Sequence, residues 1–79
     1  MISVQIVSKK RLIYQGKATS VTSKNRVGEF DILEQHANFI TLMEDYVILN
    51  HKTNAEQVYE LKSGLLVAEN NKVAIFVEE

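Results

Sequence analysis

The 79-residue chain has no cysteine and no proline, only three glycines and only two histidines. Without cysteine, no disulfide staples the fold and no thiolate cluster holds a metal. A chain this short buries only about 60–65% of the surface its unfolded form exposes, so apolar packing, helped by partner proteins, has to supply its stability. A cysteine-free sequence also fits a reducing compartment. No charge sign dominates either: nine Lys and Arg stand against ten Asp and Glu, a formal net charge of −1. That balance argues against the basic field of a general nucleic-acid binder. The longest basic cluster, Lys9-Lys10-Arg11, reads as a solvated turn. Apolar runs fall far short of the ~20 residues of a membrane span. The opening MISVQIVSKK carries its positive residues after its apolar ones and no small-residue cleavage site, so it reads as a strand and not as a secretory signal. Composition thus describes one soluble cytosolic domain, residues 1–79.

The usual signatures of chemistry are missing too. His36 and His51 lie fifteen positions apart without the spacing of a metal site. Ser63 before Gly64 lacks the elbow of a serine nucleophile, and Gly28 stands alone where a phosphate cradle would need several glycines. No catalytic residue, cofactor or metal ligand is expected. The richest stretch is VGEFDILEQHANFITLM, Val27 to Met43, with Glu29, Asp31, Glu34 and His36. As a catalytic loop, its acids would need unlike environments to split their pKa values. As a strand, Glu29 and Asp31 share a solvated face over an apolar face made by Phe30 and Ile32. The strand is the simpler reading. His36 is either a structural histidine or an interface hydrogen-bonder.

With proline absent, punctuation falls to Gly16, Gly28, Gly64 and clusters of Asn or Lys. Between them lie short β-branched or aromatic runs: ISVQIV, LIYQGKATSVTS, EFDIL, YVILNH, GLLVA and KVAIFVEE. The last two are joined by ENN, a hairpin turn in which asparagine adopts positive φ. Such spacing predicts an all-β sandwich or barrel. Two segments also carry helix signals. TNAEQVYELKSG offers Thr53 as N-cap with Glu56 three residues on, and HANFITLMEDYVIL places Phe39, Ile40, Met43 and Val47 near one helical face.

Taken in order, these blocks resemble the N-terminal β-sandwich domain of the F-type ATP synthase epsilon subunit family, whose mitochondrial counterpart is called delta. The resemblance covers essentially the whole chain. Tyr14, Gly16, Ala18 and Val21 match the opening block. Gly28, Glu29, Phe30, Leu33, His36 and Ala37 match the most diagnostic one, and Ser63-Gly64-Leu65 with Val67, Asn71, Val73 and Ile75 match the last. The family's usual prolines are replaced at Lys9, Asn38 and Asp45, and a usual glycine by Tyr46, which loosens turns but leaves the strand pattern.

The resemblance implies strands for both ambiguous segments and an all-β, roughly ten-stranded sandwich of two sheets. Its core would come from Val4, Ile6, Val21, Phe30, Ile32, Leu49, Leu61, Val67, Val73 and Ile75. It implies a non-catalytic rotor subunit of the central stalk, peripheral to the cytoplasmic side of the cell membrane. One copy would sit within a hetero-oligomer, linking the gamma subunit to the polar loops of the membrane c-ring and touching the membrane only through that ring. Carried over by position, Gly28, Glu29 and Phe30 are expected at the c-ring. His36, with Asp31, Glu34 and Gln35 as neighbours, is expected at the gamma and c-ring interface. Family members usually continue into a C-terminal helical hairpin that inhibits hydrolysis or binds ATP. These residues stop at Glu79 without one, so neither activity is expected of them. The alternative is a free-standing β-sandwich interaction module outside the synthase.

Overall fold

Alternating burial forms the strands: in the first, Ile2, Val4 and Ile6 are buried while Gln5 is exposed, the period-two pattern of a half-buried strand. The computed structural model describes residues 1–35 and 38–78. Among them are seven strands and no helix: β1 (Ile2–Val7), β2 (Leu12–Ala18), β3 (Ser20–Lys24), β4 (Glu29–Leu33), β5 (Phe39–Leu49), β6 (Gln57–Glu69) and β7 (Lys72–Val77). The order across the sheet is β2-β1-β7-β6-β5-β3-β4, antiparallel throughout except for the parallel pair β1 and β7. The count is seven where the resemblance implied about ten, and β5 and β6 are long strands that each run through what reads as two short segments. Both are strands, so the helix signals are overridden. Thr53 and Glu56 use their capping chemistry on a turn: the Thr53 hydroxyl accepts from Ala55 N at 3.1 Å, and Glu56 Oε2 accepts from Lys52 N at 2.8 Å.

One hydrogen-bonded sheet replaces the expected two, and it folds over on itself. Strands spaced about 4.8 Å apart would put β2 and β6 about 14 Å apart in a flat sheet, yet the Tyr14 and Tyr59 rings lie 5.9 Å apart. Phe30 on β4 and Phe39 at the start of β5 meet edge-on at 5.4 Å, although β3 links the two strands only at the far end of β5, Val47–Leu49. The Cα extents of 28 × 25 × 22 Å leave no thin dimension. Inside the fold sits one core, including Ile2, Val4, Ile6, Val21, Ile32, Met43, Val47, Leu49, Leu66, Val73 and Ile75.

The fold turns on an irregularity between β5 and β6. Glu44 pairs with Ser63 but Asp45 pairs with Leu61, so Lys62 is an extra residue, a β-bulge. Asp45 takes a φ of 75° there. The extra residue flips the parity of β6: Tyr59 and Leu61 face inward before it, Leu66 and Ala68 after it. Val67, which the resemblance implied for the core, is therefore turned to the outer face. Gly64 follows the bulge because a Cβ there would lie 2.4 Å from the Phe76 carbonyl oxygen. The β6–β7 turn is the expected one: Asn70 and Asn71 have φ of 51° and 61°, as a two-residue type I′ turn requires.

Candidate functional site

β4 carries most of the residues singled out in the sequence, and its hairpin with β3 sets their geometry. Asn25 builds the turn. Its N–H donates to Gly28 O at 3.0 Å, and its Oδ1 accepts from Val27 N at 2.9 Å and Gly28 N at 3.2 Å. Gly28 has a φ of 150°, a conformation that glycine alone adopts without strain. Val27, at the tip, is 96% exposed. The turn thus presents one apolar side chain and then an acid.

Glu29 and Asp31 lie on the solvent face, as the strand reading predicts, and Ile32 faces the core. Each acid has its own partner. Tyr46 O–H donates to Glu29 Oε2 at 2.6 Å, and Thr22 O–H donates to Asp31 Oδ1 at 2.5 Å. The bond to Glu29, first, and then desolvation push the Tyr46 phenol up to about 12. Next to them, Lys24 Nζ reaches Asp45 Oδ2 at 2.8 Å, and the bond to Asp45 raises the Lys24 ammonium above its ordinary value. Phe30, expected beside Gly28 and Glu29 at a contact, instead packs its ring inward against Phe39 and the core.

The expected residues do not converge. Gly28 and Glu29 sit at one end of β4, Glu34 and Gln35 past the other. The Glu34 carboxylate pairs with the Met1 α-amino group, and Gln35 N–H donates to Asn71 Oδ1 at 2.6 Å. His36 lies outside the described residues. The second histidine, His51, has its Nδ1 at 2.7 Å from Glu56 Oε2, and that carboxyl is lowered by Lys52 N–H first and the imidazole second. Among the described residues no group of three or more His, Asp or Glu could hold a metal.

A second surface was not anticipated. Leu42 pairs with Leu65, Leu65 with Phe76, Phe76 with Val7 and Val7 with Leu12. Directly paired residues share a face, so five strands carry one unbroken apolar row. Leu42 is 68%, Phe76 50% and Leu12 52% exposed. A second row, Ile40, Val67, Ala74 and Gln5, runs beside it. The signal was present in LLVA and VAIFV: an antiparallel strand apolar at both parities has two dry faces. A groove lined by Asn25, Arg26, Leu42, Met43, Gly64 and Glu78 joins this row to the β3–β4 turn.

These features define a folded-over all-β domain with an apolar outer face and a polar one. Residues 1–79 match the family described as ATP synthase, Delta/Epsilon chain, beta-sandwich domain, and the chain belongs to it. It is 31% identical over 78 residues to the ATP synthase epsilon chain of Sulfurimonas denitrificans, covering 98% of this chain and 60% of that one. It is 30% identical over 79 residues to the epsilon chain of Corynebacterium aurimucosum, covering 98% and 65%. The chain therefore spans about three fifths of the length of these relatives. In fold it is similar to a chain in the cryo-EM structure of the Euglena gracilis mitochondrial ATP synthase OSCP/F1/c-ring, with a TM-score of 0.85 at 15% identity, covering 96% of this chain and 49% of that one. A chain of the Tetrahymena thermophila mitochondrial ATP synthase central stalk and c-ring gives 0.76 at 9%, covering 99% and 63%.

Proposed function

We propose that these residues form the sandwich domain of a rotor subunit in an F-type ATP synthase, docked on the cytoplasmic side of the membrane. The domain grips the gamma subunit through the row Leu42, Leu65, Phe76, Val7 and Leu12. It meets the c-ring loops through the β3–β4 turn, with Gly28 shaping the turn and Glu29 making the polar contact. No reaction occurs in it; it passes torque between ring and stalk. The observation that carries this reading is the apolar row, because exposed contiguous apolar surface of that extent marks a protein contact.

Asp31, Glu34 and Gln35, expected at the gamma and c-ring interface, are already bonded within their own chain. They flank the contact, and the apolar row takes over the grip. The test is co-purification from membranes carrying an assembled synthase. A tagged chain should bring down gamma and the c-ring, and Phe76→Asp should lose both. Migration of the tagged chain alone, or unchanged recovery with Phe76→Asp, would remove this reading in favour of a free-standing interaction module.

A further inference from the structure

Lys24, on β3, stands directly opposite Glu29 on β4. Opposite residues in an antiparallel pair bring their Cβ atoms within about 4.5–5.5 Å, so Lys24 is the natural ion-pair partner of this acid. It is engaged elsewhere: its ammonium lies 2.8 Å from Asp45 Oδ2. Asp45 can take it because the bulge places that residue, with φ 75° and its side chain exposed, beside the end of β3. Glu29 is bonded instead by the Tyr46 hydroxyl at 2.6 Å. A phenol O–H orients a carboxylate without neutralising it. Among the described residues, no cation pairs with Glu29.

We infer that Asp45 and Tyr46 are positioning residues for Glu29: Asp45 draws Lys24 away and Tyr46 fixes the carboxylate, so that Glu29 meets its partner as an oriented, uncompensated anion. The inference rests on the reading of Glu29 as a contact, and it specifies a cationic group on the other side. The arrangement has a counter-intuitive consequence. Removing Asp45 frees Lys24 to neutralise Glu29, and removing Lys24 as well should undo the damage.

The experiment measures binding of the tagged chain to a purified gamma–c-ring subcomplex, at several salt concentrations, with thermal unfolding of each variant alongside. Glu29→Gln should weaken binding about fivefold and flatten its salt dependence, the scale of an exposed ion pair. Asp45→Asn should weaken it about threefold at unchanged melting temperature, since asparagine accepts the same positive φ. Asp45→Asn with Lys24→Gln should return to the wild-type value. Tyr46→Phe should cost about threefold alone and nothing further in the Glu29→Gln background. If the Asp45→Asn loss persists without Lys24, Asp45 acts through its own charge and the inference falls. If only Glu29→Gln weakens binding, the contact stands and the positioning role is overturned. If Glu29→Gln changes nothing, the contact itself is wrong and the inference goes with it.

Discussion

On the outer face of β2, β1, β7, β6 and the first half of β5, Leu12, Val7, Phe76, Leu65 and Leu42 form a line whose members are mostly open to solvent. Across β4, β3 and the second half of β5, the polar groups are already engaged: Glu29 with Tyr46, Asp31 with Thr22 and Lys24 with Asp45. The difference separates two kinds of adhesion. An apolar face gains from any cover that removes water, roughly in proportion to area. A polar face gains only where its bonds fit the partner, so it sets register and specificity more than strength. Here the two kinds occupy different halves of one folded sheet.

Striking what the two halves share should have the largest effect. Leu66 is fully buried, and Leu66→Ala should cost about 3 kcal/mol of stability, read as a lowered urea midpoint with an unchanged slope. The apolar half alone is broken by Phe76→Asp. That change should weaken gamma binding by about a hundredfold while the isolated chain melts within about 2 °C of wild type, because a half-exposed side chain is replaced. The polar half is strained by Gly28→Val, which forces a β-branched residue into a φ of 150°. A loss of about 1–2 kcal/mol is expected, without loss of the apolar grip. Glu29→Lys should weaken coupling between ion flow and ATP synthesis and leave the melting temperature of the isolated chain nearly unaltered; a large loss of stability would make Glu29 structural.

The gentlest change sharpens the comparison by titration. Tyr46 ionises at about 12 against an ordinary 10.0. A raised phenol pKa favours the neutral form, so its contribution to stability is complete below pH 10.0 and lost as pH rises through about 12. In Glu29→Gln, phenolate absorbance should show this tyrosine titrating back toward its ordinary value, with little change in folding.

Much of this was readable in the residues. Alternation located β1 and β4, a dense apolar run marked β7, the Asn70-Asn71 pair announced its turn, and Glu29 and Asp31 fell on the solvent face as period two requires. Two facts were hidden for physical reasons. A bulge is one extra residue with no composition of its own, so nothing marked Lys62 as the place where β6 changes parity and turns Val67, implied for the core by the resemblance, to the outer face. Contacts between the folded halves are non-local: that Gln35 meets Asn71, or Tyr14 meets Tyr59, depends on how the sheet closes. The apolar row lay in plain view in LLVA and VAIFV. It took the register to show that separate runs line up across five strands.

The long pair β5 and β6, matched from Phe39–Ala68 to Leu49–Gln57, runs through both halves of the fold. A force that drags one face past the other is therefore borne along covalent chain, as in a beam bent double, and not across a seam between two plates. Strand β4, by contrast, shares its backbone ladder with β3 alone and reaches β5 only through side chains, Glu29 with Tyr46 and Phe30 with Phe39. Load on the β3–β4 turn therefore passes into the long β5–β6 pair through β3 and through the Glu29–Tyr46 bond.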